Sequence, residues 1–254
     1  PLLVLLCVSV LGVALLVSRG AAHQTPADIT AYCESSESPR SCYEDTIERA
    51  LERDGLVAAL DLVARIYPHS PEFAKYCHYS MHDLGKAAYR LYHATPGMDL
   101  TTGNTASCGF GYYHGFLTEL LLQTRDLSEA RTFCAYAGSL NPSGDNHLEG
   151  ACYHGIGHGV TDGADATLWG DATAMAAPGL ALCKEIALTE EWRGFCASGV
   201  FASIATMHNV PRYRLDSGND PYALCRKEGY SDTEYRACYN QMNSMVMLMS
   251  DSSF

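Results

Sequence analysis

Histidine is the residue type that most strongly suggests chemistry in this chain. Two pairs stand four residues apart, His78 with His82 and His154 with His158. Side chains at i and i+4 project from the same face of a helix, so each pair can offer two imidazoles to one metal ion. Imidazole is a ligand for zinc, copper and iron. We therefore predict a transition-metal site, with Zn, Cu or Fe as the candidate ions.

A fifth candidate ligand, His114, is identified by an internal repeat. The segment 108–115 aligns without gaps on 152–159, and both segments start with Cys and end with His-Gly. His114 therefore occupies the same repeat position as His158. A third copy, which starts at Cys196, lacks the histidine. The predicted metal ligands are His78, His82, His114, His154 and His158.

Other interpretations of these histidines stay open. A histidine on a packed helix is more often a hydrogen-bonded core residue than a ligand. Neither pair matches the HExxH pattern of zinc proteases, and no CxxCH motif for covalent c-type haem is present. Cys77, beside His78, could act as a thiolate ligand. Nearby carboxylates could complete the ligand set or orient the imidazole rings, namely Asp83, Glu119, Glu149 and Asp162.

The cysteines favour disulfide bonds over metal ligation. The chain has 11 cysteines, and the ten that follow residue 20 form an even number, as a fully oxidised extracytoplasmic domain requires. We expect chain-order pairing because each of the last three pairs brackets the end of one predicted helix and the start of the next. Other connectivities remain possible on counting alone. The expected pairs are Cys33–Cys42, Cys77–Cys108, Cys134–Cys152, Cys183–Cys196 and Cys225–Cys238.

The spacing of the repeat predicts the architecture that holds these residues. The second cysteines of successive pairs are separated by 44, 44 and 42 residues. A period near 44 that contains two helices is typical of stacked α-helical hairpins. No turn signal flanks an alternating apolar run, so strands are not expected. The predicted fold class is all-α, with a disulfide-stapled, solenoid-like array of helical hairpins.

Local signals place several helix boundaries. Ser38-Pro39 predicts a helix that ends at Asp54-Gly55, and Ser70-Pro71 predicts one that reaches His93. Further starts are predicted at Asp126, at Thr189 and at Ser231–Glu234, which reads as a capping box. Before the start at Ser231, a helix is predicted from Asp220-Pro221 to a stop at Gly229.

Glycines are unusually frequent in the predicted helices that carry the histidines. Each costs roughly 0.5–1 kcal/mol relative to alanine inside a helix, so a compensating gain is required. We expect that gain to be close packing between helices. The alternative is that the glycines leave space for a flat cofactor beside a histidine ligand. The glycines concerned are Gly109, Gly111, Gly115, Gly155, Gly157 and Gly159.

The first residues form a continuous apolar run, Leu2–Val17, that predicts a membrane-targeting segment. One interpretation is a signal sequence cleaved near Ala21-Ala22. The other, which we take as our expectation, is a retained transmembrane anchor over residues 1–20, or an uncleaved signal sequence. In both cases residues 21–254 form a Cys/His-rich domain on the extracytoplasmic side, and Cys7 lies within the apolar run.

Composition and motifs leave two classes of function. A net charge of −12 without a Lys/Arg run argues against nucleic-acid partners. We expect the membrane and other membrane-protein subunits as partners. The favoured function is a membrane-anchored accessory or structural subunit with a His-cluster metal site and no catalytic residues. The alternative is a hydrolytic or redox metalloenzyme, which requires three ligands, an open coordination position and a cleft.

Overall fold

The computed structural model describes residues 25–94, 104–139, 147–161, 163–216, 218 and 220–249. Helices are the only regular secondary structure in this part of the chain, which confirms the predicted all-α class. Single-turn 3₁₀ helices occur at Tyr67–His69, Ala166–Leu168, Pro211–Tyr213 and Leu224–Arg226. The α-helices are α1 (Pro26–Glu34), α2 (Pro39–Asp54), α3 (Leu56–Ile66), α4 (Pro71–Ala74), α5 (Cys77–Ala94), α6 (Gly111–Thr124), α7 (Leu127–Ser139), α8 (His147–Val160), α9 (Ala172–Ile186), α10 (Glu190–Met207) and α11 (Asp232–Met249).

Side-chain caps account for most of the helix starts. The Asp126 carboxylate accepts the backbone N–H groups of Ser128 and Glu129, which begins α7 as predicted. Ser231 and Glu234 form the expected capping box of α11, because each side chain accepts the other residue's backbone N–H. Helix α2 has its predicted bounds, and its stop, Gly55, has φ +87°.

The helix predicted from Ser70 to His93 is two helices, because the chain breaks at Lys75 and Tyr76. Their backbone N–H groups bond three residues back rather than four, which tightens this turn. The break leaves Tyr76 against the aromatic rings of Tyr43 and Phe73 in the core. The prediction of one continuous helix was therefore wrong.

The prediction of an α-helix between Asp220 and Gly229 was also wrong. The structure has turns and one 3₁₀ helix there, and the bonds of Ala223, Cys225 and Arg226 all reach three residues back. Gly229 still has a positive φ of +93°, as a stop residue requires.

The helices that carry the histidines form a continuous stack. Helix α5 packs on α6, α6 on α8, α8 on α10, and α10 on α11. Helix α7 packs on α8, α9 packs on α10 and α8, and α3 connects the N-terminal helices to α5. Disulfides join consecutive cysteines after residue 20, with Cα–Cα distances from 5.3 to 5.7 Å.

Glycines allow the stacked helices to approach each other closely. A Cβ on Gly115 would lie 1.9 Å from the carbonyl oxygen of His82, and a Cβ on Gly199 would lie 1.9 Å from that of His154. A Cβ on Gly157 would lie 2.0 Å from the carbonyl oxygen of Cys196. The expectation of close helix packing is therefore confirmed at these glycines, which lie at the turns that carry the histidines. It was wrong for Gly109, which precedes α6 in a turn with φ +67°.

The expected anchor, residues 1–20, lies outside the described residues. Among the helices that the structure does describe, none combines the length and the apolar character needed to span a membrane.

Candidate metal centre

The five predicted ligands meet in one open cleft of about 910 Å³. Helix α5 contributes His78 and His82, α6 contributes His114, and α8 contributes His154 and His158. Residues of α10 and α11 complete the walls. The close helix crossings bring together side chains that lie up to 80 positions apart in the sequence.

The histidines form two groups of three rather than one group of five. His78, His82 and His114 offer three ligand nitrogens that all lie within 4.8 Å of one another. His114, His154 and His158 form the second group by the same measure. His114 is therefore shared between a group on α5 and a group on α8. No cysteine or carboxylate of the described residues belongs to either group.

Distances in the first group are short. The Nε2 atoms of His78 and His82 are 3.1 Å apart, and the Nε2 atom of His78 is 3.3 Å from Nδ1 of His114. In the second group, the Nε2 atoms of His154 and His158 are also 3.1 Å apart. The two i,i+4 pairs therefore present the same nitrogen at the same separation.

These separations match the edges of a metal coordination sphere. Zinc binds imidazole nitrogen at about 2.0–2.1 Å, so two bound nitrogens lie about 2.9 Å apart at a right angle and about 3.3 Å apart at a tetrahedral angle. The three measured separations of 3.1, 3.1 and 3.3 Å lie in this interval. These three pairs of nitrogens are therefore spaced as two ligands of one transition metal, and they also lie at hydrogen-bond distance from each other.

Backbone geometry orients the first imidazole. His78 Nδ1 donates to the carbonyl oxygen of Cys108 at 2.8 Å, and because a carbonyl only accepts, Nε2 is the nitrogen with the free lone pair. That carbonyl belongs to a turn in which Cys108, Gly109 and Phe110 have φ values of +55°, +67° and +64°. Such left-handed residues are strained when they are not glycine. The Cys77–Cys108 disulfide joins this turn to the start of α5.

Serine hydroxyls of α10 lie within hydrogen-bond distance of Nδ1 of both histidines on α8. His154 Nδ1 lies 3.1 Å from Ser198 Oγ, and His158 Nδ1 lies 2.8 Å from Ser203 Oγ. Gln241 of α11 donates to Ser198 at 2.7 Å. Sequence reasoning missed these three residues. The repeat held one signal, because Ser198 occupies in the third copy the position that His154 occupies in the second.

Burial keeps four of the five imidazoles neutral. Burial lowers the pKa of His82 to about 2 and that of His154 to about 3, and neighbouring imidazoles add to both shifts. Burial likewise holds the pKa values of His114 and His158 well below the ordinary value. Neutral imidazole is the form that binds a metal ion, so these side chains need not lose a proton first.

The other candidate ligands are placed elsewhere. Cys77 is in a disulfide, and Asp83 is exposed in an ion pair with Lys86. Glu119 accepts a hydrogen bond from Gln123.

The pKa of Glu149 is raised by burial and by the nearby Glu191, and its carboxylate belongs to neither group. Asp162 lies outside the described residues.

The cleft is less acidic than the chain as a whole. The chain carries a net charge of −12, yet no described residue that lines the cleft is a carboxylate. The cationic residues at the walls are Lys86, which is paired with Asp83, and Arg212, which lies over the ring of Tyr213 at 4.6 Å. A bound metal ion would add further positive charge, so the cleft suits a neutral or anionic ligand.

No protein-family model, curated protein or solved structure matches this chain. The chemistry of the site therefore follows from its own geometry. Three imidazoles per group and an open cleft leave coordination positions for water or for another small molecule.

Proposed function

We propose that the protein is an extracytoplasmic transition-metal protein whose histidine cleft supports metal-dependent chemistry on a water molecule or small substrate. The observation that carries this proposal is the spacing of the imidazole nitrogens at 3.1–3.3 Å. Five disulfides support the extracytoplasmic location, because such bonds persist in oxidising compartments.

The ligand set favours copper or zinc among the three candidate ions. Both groups consist of imidazoles alone, which suit zinc and copper. Non-haem iron enzymes instead use two histidines and one carboxylate, a combination that neither group contains. Zinc would lower the pKa of a bound water molecule and supply hydroxide for hydrolysis, whereas copper would supply redox chemistry.

The metalloenzyme alternative fits the cleft better than a purely structural metal does. Structural zinc sites are closed by four protein ligands, whereas catalytic ones use three and keep a position open. Each group here offers three ligands and faces a cleft of about 910 Å³. The positive walls support a substrate that is neutral or anionic, or that gains negative charge during the reaction.

Metal analysis of the purified protein tests this proposal. The protein is incubated with Cu²⁺ or Zn²⁺ and separated from free metal by gel filtration. Its metal content is then measured by elemental mass spectrometry. We expect wild type to retain stoichiometric metal. The double variant His82→Ala/His158→Ala removes one ligand from each group and should retain far less.

The matched control is His69→Ala, which removes an exposed histidine outside the cleft. It should retain as much metal as wild type. If wild type retains neither ion, the histidines form only a hydrogen-bonded cluster and the proposed function is wrong.

We also propose that residues 1–20 anchor this domain to a membrane. The apolar run Leu2–Val17 supports the anchor. Retention of the protein in membranes after alkaline carbonate washing would support anchorage, and release of a chain that begins near Ala21 would instead show cleavage. Assembly with other membrane-protein subunits stays a prediction from the sequence.

A further inference from the structure

We propose that the cleft binds two metal ions joined through the imidazole of His114, which gives one ring nitrogen to each ion. This inference rests on the proposed function and specifies the form of its metal centre. The first ion would take His78 and His82 as its other ligands, and the second would take His154 and His158.

The number of available nitrogens supports two ions. His78, His154 and His158 each have Nδ1 engaged by a carbonyl or hydroxyl oxygen, so each offers Nε2 alone. The ligand nitrogens fall into two groups of three, and each group satisfies the usual three-ligand requirement only if both include His114. Without sharing, one of the two ions would keep only two protein ligands.

His114 is placed as a bridge requires. It is 5% exposed and stands on α6, between the helices that carry the two pairs. Its ring centroid lies 5.0 and 5.2 Å from those of His78 and His82, and 4.6 and 5.2 Å from those of His154 and His158. The central ring is therefore nearly equidistant from both pairs.

The two nitrogens of His114 can be assigned to different ions. Nδ1 lies 3.3 Å from Nε2 of His78, within the first group. We assign Nε2, the other ring nitrogen, to the group on α8, which also includes His114. Two ions bound in this way would lie about 6 Å apart, given metal–nitrogen bonds of about 2.0–2.1 Å on the two sides of one ring.

The bridge has a defined proton balance. Neutral His114 carries one N–H proton, and an imidazole with a metal on each nitrogen carries none. At His114, binding of the second divalent ion therefore forms one metal–nitrogen bond, breaks one N–H bond and releases one proton to solvent, while His154 and His158 each add one metal–nitrogen bond through an existing lone pair. Both ions keep their oxidation state, so no oxidant or reductant is needed.

Titration with Cu²⁺, followed by electron paramagnetic resonance, tests the bridge in the purified protein. The first equivalent should give the spectrum of isolated Cu²⁺. The second should reduce the integrated signal, because the bridging ring couples the two unpaired electrons. His78→Ala/His82→Ala and His154→Ala/His158→Ala should each bind one Cu²⁺ and keep its full signal.

His114→Ala should abolish the coupling, whereas His147→Ala, which removes a cleft histidine outside both groups, should preserve it. Circular dichroism checks that each variant is folded, and the wild-type titration stands without any variant. Two equivalents with undiminished signal would overturn the bridge. One equivalent would overturn the two-ion centre but leave the proposed function intact, whereas no binding would overturn both.

Discussion

At the scale of single residues, the site depends on which nitrogen of each imidazole is free. Nδ1 of His78 is engaged by a carbonyl oxygen, and Nδ1 of His154 and His158 by serine hydroxyls. The carbonyl partner fixes both the tautomer and the ring orientation of His78, whereas a hydroxyl, which can donate or accept, restricts the ring orientation of its histidine. We therefore expect the two serines to contribute to metal affinity through the histidines that they orient.

Ser203→Ala tests this contribution. Without the hydroxyl, Nδ1 of His158 loses its partner and the ring is less firmly oriented, so we expect metal affinity to fall by about 10–100-fold. Competition with a chelator of known affinity measures the change. Ser128→Ala, at an exposed position on α7, is the control and should bind as wild type does. Equal affinity in both variants would show that Ser203 has no such role.

Sequence signals predicted the five histidines but not their division into two groups. The i,i+4 spacing and the repeat are local properties of the chain. The sharing of His114 depends on how α6 crosses α5 and α8, which is a tertiary property. Ser203 was missed for the same reason, because it approaches His158 only across the contact between α8 and α10.

At the scale of helices, glycines determine how closely the stack is packed. A Cβ on Gly199 would lie 1.9 Å from the His154 carbonyl oxygen, whereas one on Gly194 of the same helix would meet only a methyl group of Thr233 within 4 Å, at 2.7 Å. The cost of glycine in a helix predicted close packing from sequence alone. Which helix each glycine contacts required the structure.

Alanine substitutions in α10 separate packing from helix propensity. Both Gly199→Ala and Gly194→Ala gain about 1 kcal/mol of helix propensity. At Gly199, however, the added methyl collides with backbone, so we expect a net loss of about 2 kcal/mol or more in the free energy of unfolding. Urea denaturation of the two variants measures the difference. Our account of the crossing is wrong if Gly199→Ala is as stable as Gly194→Ala.

Local sequence signals predict some helix boundaries but not others. Capping residues set the starts of α7 and α11, because a cap acts within its own turn. The break at Lys75 and Tyr76 has no such signal. It follows from packing of Tyr76 against rings of other helices, which overrides the helical preference of the segment.

At the scale of the whole molecule, the histidine cluster couples stability to pH. The pKa values of His82 and His154 are lowered to about 2 and about 3, and those of His114 and His158 are also lowered. Below about pH 6.5, unfolded imidazoles bind protons that the folded protein does not. Unfolding then takes up protons, so stability is complete above about pH 6.5 and falls as the pH decreases.

Denaturation of the metal-free protein between pH 7.5 and 5 tests whether stability falls as the pH decreases. Each extra proton bound by the unfolded chain lowers the free energy of unfolding by about 1.4 kcal/mol per pH unit, and we expect a slope above that of one proton. The slope should be shallower in His82→Gln/His158→Gln, which lacks two of the imidazoles. An unchanged slope in that variant would place the pH dependence elsewhere.

The chain-order disulfides also bear on how the protein is made. Each cysteine after residue 20 is bonded to the next or the previous cysteine in the sequence, so no other cysteine lies between the two partners of a disulfide. A chain exported N-terminus first presents the two partners of each bond one after the other. Oxidation in order of emergence then yields the native pairing directly, without an isomerase to reshuffle it.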